Sequence, residues 1–335
     1  MLDDRKAAIL RAVVEEHIRT AQPVGSSHLA RQADLAVSSA TVRNEMNQLE
    51  RDGYLAQPHT SAGRVPTDKG YRFFVDSLAT PGTLDEVRSQ QVRDFFARAH
   101  GELERMLGDT SRLLSGLTDY AAVVTAPNAE ALRVRSFQLV SLSPRSLLVV
   151  AVLSNGSIEK RNLELAPDAA VSEAVVGAAS AHLASCLNGR TWGSIDRPTP
   201  TGDAAVDELV SRAHDAITSV VLGGADQVYV GGAARMATAF DAVGTIRQVL
   251  DILERQYVLV SLLREVLDRG LSVAIGTEHG LQSLADCSLV VAPYEVEGER
   301  GTIAILGPTR MHYDQAMAAV GLVSERLGRA LSEGS

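Results

Sequence analysis

Apolar positions in the first 80 residues fall at helical intervals. Ile9, Leu10, Val13, Val14 and Ile18 make one stripe. Pro23-Val24-Gly25 interrupts the chain, and Ser26 or Ser27 can cap a short helix running to Ala33. Asp34-Leu35-Ala36 is then a brief turn before Ser38, whose hydroxyl is placed to cap a third helix. In that helix Val42, Met46 and Leu49 recur at i, i+4 and i+7, and Gly53 ends it. Tyr54-Leu55-Ala56 reads as a short strand and 57–63 as a polar loop. Arg64-Val65-Pro66 leads out, and Thr67 caps a helix from Asp68 to Leu78.

Thr80-Pro81-Gly82 signals a linker, and one long helix is predicted over 84–117. At Ala121 the period changes. AAVVTAP, VRSFQLVSL, SLLVVAVLS and SIEKRNLEL are short runs rich in Val, Leu and Ile, with Asn155-Gly156 marking a hairpin. LSVAIGTE, CSLVVAPYEV and GTIAILGP form a second set, closed by a helix over 313–331. Helical sequence lies between the sets, at 168–187, 203–222 and 242–268. The fold class is therefore α+β and multidomain: 1–78, a linker and long helix over 79–118, an α+β unit from 119–165 plus 270–335, and a mainly helical insert over 166–269.

Three short helices with a tight turn between the second and third are the helix-turn-helix layout, and the strand-loop-strand after them reads as a wing. The polar face of the third helix carries Ser39, Thr41, Arg43, Asn44, Asn47 and Gln48. Side chains of these types read base edges or hold phosphate oxygens. Arg43, Asn44 and Asn47 are expected in the major groove, with Ser38, Ser39 and Thr41 setting the helix N-terminus against phosphate. His59, Ser61 and Arg64 belong to the wing, Arg64 on phosphate or in the minor groove. Lys69 and Arg72 are either phosphate contacts or plain surface, and Asn47 and Gln48 have solvated helix surface as their alternative. Pattern alone leaves open an ordinary amphipathic helix beside a surface hairpin.

Charge sharpens the picture. The chain carries 32 Lys and Arg against 41 Asp and Glu, a net of −9. Residues 1–78 hold ten of each sign, so the whole deficit lies beyond them. Phosphate contact is local, with a screening length of about 8–10 Å, so an acidic body is compatible with specific DNA binding and argues against indiscriminate coating. No run of about 18 apolar residues marks a membrane span, and no apolar segment follows Met1 as a secretory signal would.

Cys186 and Cys287 are far apart and lack metal-ligand spacing, as small reduced thiols of a cytoplasmic protein would. Tyr229-Val230-Gly231-Gly232 lacks the third glycine of a nucleotide turn. His312 and Asp314 have no third ligand within a motif. No catalytic, metal or cofactor site is expected, and the chain is not read as an enzyme.

The stretch SSATVRNEMNQLERDGYLAQPHTSAGRVPTDKGYRFFVD, from Ser38 to Asp76, closely resembles the signature of the HrcA family of heat-inducible transcription repressors. Tyr120 to Pro127, Ile275-Gly276-Thr277-Glu278 and Gly301 to Tyr313 are similar to its later landmarks. The resemblance implies a winged helix-turn-helix domain over 1–78, a GAF-like domain from 119–165 plus 270–335, and an inserted dimerisation domain over 166–269. It also implies a homodimer on the inverted-repeat CIRCE operator upstream of chaperone genes, dependence on the GroEL chaperonin, and loss of repression on heat stress. Two other readings stay in view: a GAF-like receptor for a small molecule, and an enzyme with an appended DNA-binding segment.

Overall fold

The stripe Ile9, Leu10, Val13, Val14 and Ile18 lies on α1 (Asp4–Thr20), where all five side chains are buried. Asp3 caps this helix by accepting from the Lys6 amide. The computed structural model describes residues 2–32, 37–59, 62–78, 83–98, 103–127, 132–143, 145–154, 156, 158–165, 171–221, 227–235, 240, 243–270, 272–296 and 298–333. The expected turn at 34–36 therefore lies outside the described residues. The second helix, α2 (Ser26–Gln32), starts directly after Gly25, whose carbonyl accepts from the His28 amide, so neither serine stands outside it as a cap. Next comes α3 (Ser39–Arg51), capped as expected by Ser38, whose Oγ accepts from the Thr41 amide at 3.2 Å. Val42, Met46 and Leu49 turn inward onto the α1 stripe, each worth about 1.5–3 kcal/mol on full burial. Gly53, at φ +79, turns the chain into β1 (Leu55–Ala56), which pairs antiparallel with β2 (Val65–Pro66). Thr67 caps α4 (Asp68–Asp76).

The helix predicted over 84–117 is two helices, α5 (Glu86–Arg98) and α6 (Leu103–Thr118). Beyond them, β3 (Ala121–Thr125) joins four later strands: β7 (Val228–Gly231), β8 (Val273–Ile275), β9 (Cys287–Val296) and β10 (Glu299–Pro308). Their order is β7-β3-β10-β9-β8, antiparallel throughout. Side chains alternate across this sheet. Ala122, Val124, Ile303 and Ile305 face α6 and the closing helix α11 (Tyr313–Glu333), while Ala121, Val123, Ala304 and Leu306 face α9 (Val243–Glu254) and α10 (Gln256–Asp268). Both faces are covered, which is why these strands read as unbroken apolar runs.

The remaining strands stand apart. β4 (Val134–Ser143), β5 (Ser146–Leu153) and β6 (Ile158–Glu164) make a separate three-stranded antiparallel sheet. One face of it closes a core of its own with α7 (Glu173–Leu187) and α8 (Ala204–Val221). The structure thus differs from the expected split into 119–165 plus 270–335 and 166–269. Strands joined by short hairpins pair with each other, so β4–β6 go with α7 and α8, while β3, apolar on both faces, needs a sheet covered twice. The segment 243–268 likewise leaves the expected insert and lies on the five-stranded sheet.

One continuous core runs from α1 through α4 into the face of the sheet that carries α6 and α11. At its centre the Tyr71 hydroxyl lies 2.7 Å from His17 Nδ1, and the Tyr71 ring lies 6.1 Å from that of Tyr313. Tyr313 is fully buried, donates to the Thr309 carbonyl at 2.6 Å and meets Ser288 Oγ at 2.8 Å. Burial, helped by the Arg310 charge, holds the His17 imidazole below its ordinary value of 6.5, and burial does the same to His279. A histidine depressed in the fold stabilises it fully above pH 6.5, and that contribution is lost as pH falls through the depressed value. The apparent melting temperature is therefore expected to fall between about pH 7.5 and about pH 5, and His17→Gln is expected to flatten that slope at a cost of about 1 kcal/mol at neutral pH. Thermal melts of both proteins across that range check it; an unchanged slope in the variant removes His17 from the account.

Candidate nucleic-acid interface

Burial of Val42, Met46 and Leu49 forces the opposite face of α3 outward. Ser39, Arg43 and Asn44 are exposed there, and Thr41 and Asn47 are half-buried. Arg43 makes no ion pair among the described residues. Ser38 Oγ also meets Thr41 Oγ1 at 3.0 Å, so both hydroxyls serve the helix start. Gln48 is directed along the helix, its Nε2 donating to Asp52 Oδ1 at 3.1 Å.

Arg64 has two partners on α3. Its Nε donates to Glu50 Oε2 at 3.0 Å and its Nη2 to Asn47 Oδ1 at 3.0 Å, and only 15% of the side chain is exposed. The guanidinium thus ties the hairpin to α3. Backbone pairing reinforces the tie: the Val24 amide donates to the Arg64 carbonyl at 2.8 Å, and the Arg64 amide to the Val24 carbonyl at 2.9 Å. A Cβ on Gly63 would overlap the Val24 backbone, so this approach requires glycine.

His59 is exposed on the loop of the hairpin, and Ser61 lies outside the described residues. Lys69 bends back to the head, donating to the Asp52 carbonyl at 2.8 Å with Nζ 4.3 Å from the Tyr54 ring centroid. Arg72 is committed to the body, where it pairs with Glu278 and donates to the Val273 carbonyl at 2.7 Å. Arg72 thus has its partners in the body, while Lys69 stays exposed beside its own.

Between α3 and the hairpin lies a polar cleft of about 380 Å³, lined by Ser26, Ser27, Arg43, Asn47, Gln57 and Arg64 among others. Sequence reasoning missed Glu50 and Val24 as the residues that shape it; Asn47 and Glu50 stand three positions apart on one face of α3, and that spacing was the available signal. The cleft and the outward face of α3 together offer Arg43, Asn44 and Asn47 to a ligand rich in hydrogen-bonding edges and negative charge.

Elsewhere the chemistry is structural. Gly231 and Gly232 sit at the end of β7, where a Cβ would overlap the Ser111 backbone or the Ser115 hydroxyl of α6. Burial pushes the Cys287 thiol up to about 12, leaving it protonated and unreactive. Among the described residues no cluster of three His, Cys, Asp or Glu could hold a metal ion, and no helix is long and apolar enough to cross a membrane.

Removing Arg64 strands Glu50 and Asn47 and unties the hairpin. Arg64→Ala is expected to lower stability by about 1–3 kcal/mol, with Arg64→Lys recovering less than half, since a single ammonium lacks the planar fork that reaches Glu50 and Asn47 from two separate nitrogens. Thermal or urea unfolding measures this, and a loss below a few tenths of a kcal/mol would show the tie to be idle.

A family profile described as the HrcA protein C terminal domain matches residues 104–317. A heat-inducible transcription repressor HrcA of Beutenbergia cavernae is 39% identical over 350 residues, covering 99% of each chain. Its namesake from a Nocardioides species is 39% identical over 347 residues and covers both chains completely. A crystal structure titled as that of a hypothetical protein superimposes with a TM-score of 0.71 at 23% identity over the whole of both chains, a likeness of fold.

Proposed function

The chain belongs to the HrcA family, and on that premise we propose that it is a sequence-specific transcription repressor of chaperone genes that binds the inverted-repeat CIRCE operator as a homodimer. The single observation carrying this reading is the outward face of α3, polar, exposed and flanked by the hairpin. The three helices and the β1–β2 ribbon are then a winged helix-turn-helix. Arg43, Asn44 and Asn47 enter the major groove; Ser38, Ser39 and Thr41 lie at the phosphates beside the helix start; His59 rides on the wing. Arg64 serves as the brace behind Asn47.

The five-stranded sheet with its helices corresponds to the GAF-like domain, and β4–β6 with α7 and α8 to the inserted dimerisation domain. Its sheet turns Val140, Leu142, Leu148, Val150, Val152 and Ile158 away from the helices, and Val140 and Leu142 are 39% and 57% exposed. An uncovered apolar face of this kind suits a second copy of the chain, and a two-fold pair of heads suits a palindrome.

Chaperonin dependence has a physical rationale in the topology. The inner strand β3 at 121–125 pairs with strands at 228–231 and 299–308. Such long-range pairing is slow and leaves apolar strands exposed during folding, which is what GroEL would shelter. Heat, by diverting the chaperonin to other clients, would deplete the folded repressor. A cytoplasmic location and a non-enzymatic role follow from the same reading.

The test is a titration of the folded chain against the inverted repeat and a scrambled duplex, with Arg43→Ala beside the wild type. Arg43→Ala is expected to weaken binding to the repeat by about 1–3 kcal/mol, roughly 5- to 150-fold, and binding to scrambled DNA far less. Equal affinity of the wild type for both duplexes would overturn the reading, and an unaffected Arg43→Ala would take Arg43 out of base contact.

A further inference from the structure

Gly276-Thr277-Glu278 lies about 200 residues from α4 in sequence and holds it in space. Asp68, the first residue of α4, accepts from both the amide and the hydroxyl of Thr277, each at 3.1 Å. Gly276 sits at φ +54, and a Cβ there would overlap the Asp68 carboxylate. One helical turn on, Arg72 closes a two-pronged pair on Glu278, Nε to Oε1 at 2.9 Å and Nη2 to Oε2, while Nη2 also donates to the Val273 carbonyl. Glu278 is itself held. Its Oε2 accepts from the Ile275 amide at 2.9 Å, and Arg269 donates to its carbonyl at 2.8 Å.

Apolar packing between head and body fixes how close they lie, and tolerates sliding. A forked guanidinium–carboxylate pair has one geometry, and a second anchor one turn away removes the rotation left about the first. The two anchors leave the outward face of α3 open to solvent. They therefore set the angle at which that face is presented, without covering it.

We propose that Gly276, Thr277 and Glu278 determine specificity for operator spacing: as positioning residues acting through Asp68 and Arg72, they hold the recognition helix at one angle to the body, so that a dimer accepts one half-site separation. The inference rests on the inverted-repeat reading given above. With the heads fixed, the second half-site binds at high effective concentration only where the spacing matches; with the heads loose, that advantage is lower and spread over many spacings.

The experiment titrates the full-length wild type, Glu278→Gln and Asp68→Asn against the inverted repeat with its native spacer, with about 5 and about 10 base pairs added, and against a single half-site and a scrambled duplex. Thermal melts of each protein accompany the titrations, and the two variants break the two anchors separately, so either one that stays folded gives the answer. The wild type is expected to lose about 30-fold or more when half a helical turn is added. Each variant is expected to bind the native spacing about tenfold more weakly, to vary less than about threefold among spacings, and to match the wild type on the half-site. A folded variant that keeps the wild-type spacing preference overturns the inference. So does a variant weakened equally on half-site and repeat, since the damage would then lie within the head. A wild type that binds repeat and scrambled duplex alike rejects the operator reading itself and takes this inference with it, and that outcome is read in the wild-type titration alone.

Discussion

Nine residues, Asp68 to Asp76, lie where head and body share one core, and the arrangement of the whole chain depends on that sharing. A helix as short as α4 is not stable alone in water, so it exists because its faces are occupied. Tyr71, Phe74 and Val75 are buried in the core common to head and body, and Gly70 comes so near the Tyr54 carbonyl that a Cβ there would overlap it. Its charged positions are equally committed. Asp68 and Arg72 reach the body, and Lys69 reaches back to the Asp52 carbonyl. The head is thus no bead on a flexible string: the helix that completes its fold is also the helix that joins it to the sheet.

The local grammar of the chain was legible from sequence. The stripes of α1 and α3, the Ser38 and Thr67 caps, the left-handed Gly53 and the β5–β6 hairpin at Gly156 all depend on neighbours a few residues away. What escaped depends on distant partners. Nothing within a few residues of Arg64 tells that its guanidinium will find Asn47 and Glu50, 17 and 14 positions earlier. Arg72 and Glu278 are 206 positions apart, and no periodicity relates them. In the sheets a usable signal existed: β5 alternates strictly between buried and half-buried residues, whereas every residue of β3 is buried. Alternation marks a sheet with one covered face and an unbroken run marks one covered on both, and weighing that contrast separates β3 from β4–β6.

The candidate site shows the same division between what a residue type offers and what its surroundings leave available. Five cations stand from Arg43 to Arg72, against four acids. In the fold Arg64 braces the hairpin and Arg72 anchors the head, so the exposed cations of this stretch are Arg43, Arg51 and Lys69, the last also donating to the Asp52 carbonyl. Base-reading residues need a rigid backing if they are to discriminate one edge from another. Asn47 has one, since its Oδ1 is held by Arg64, which leaves its NH₂ group as the end free to donate to a base acceptor.

A head with ten positive and ten negative residues would present no field if they were evenly mixed. They are sorted instead. Glu16 is nearly buried, its carboxyl held below the usual range first by hydrogen bonds from Arg19 and then by His28, which ties α1 to α2. Glu50 is absorbed by Arg64, and Asp68 is turned toward the body. Each of these carboxylates does structural work, and each is matched by a donor that screens it. Arg43 stands exposed on the outward face, and over a screening length of about 8–10 Å a duplex meets that local arrangement rather than the net charge of −9. The placement of the acids is therefore as much a part of the interface as the placement of the bases, because it lets a neutral head on an acidic body show a positive face in one direction.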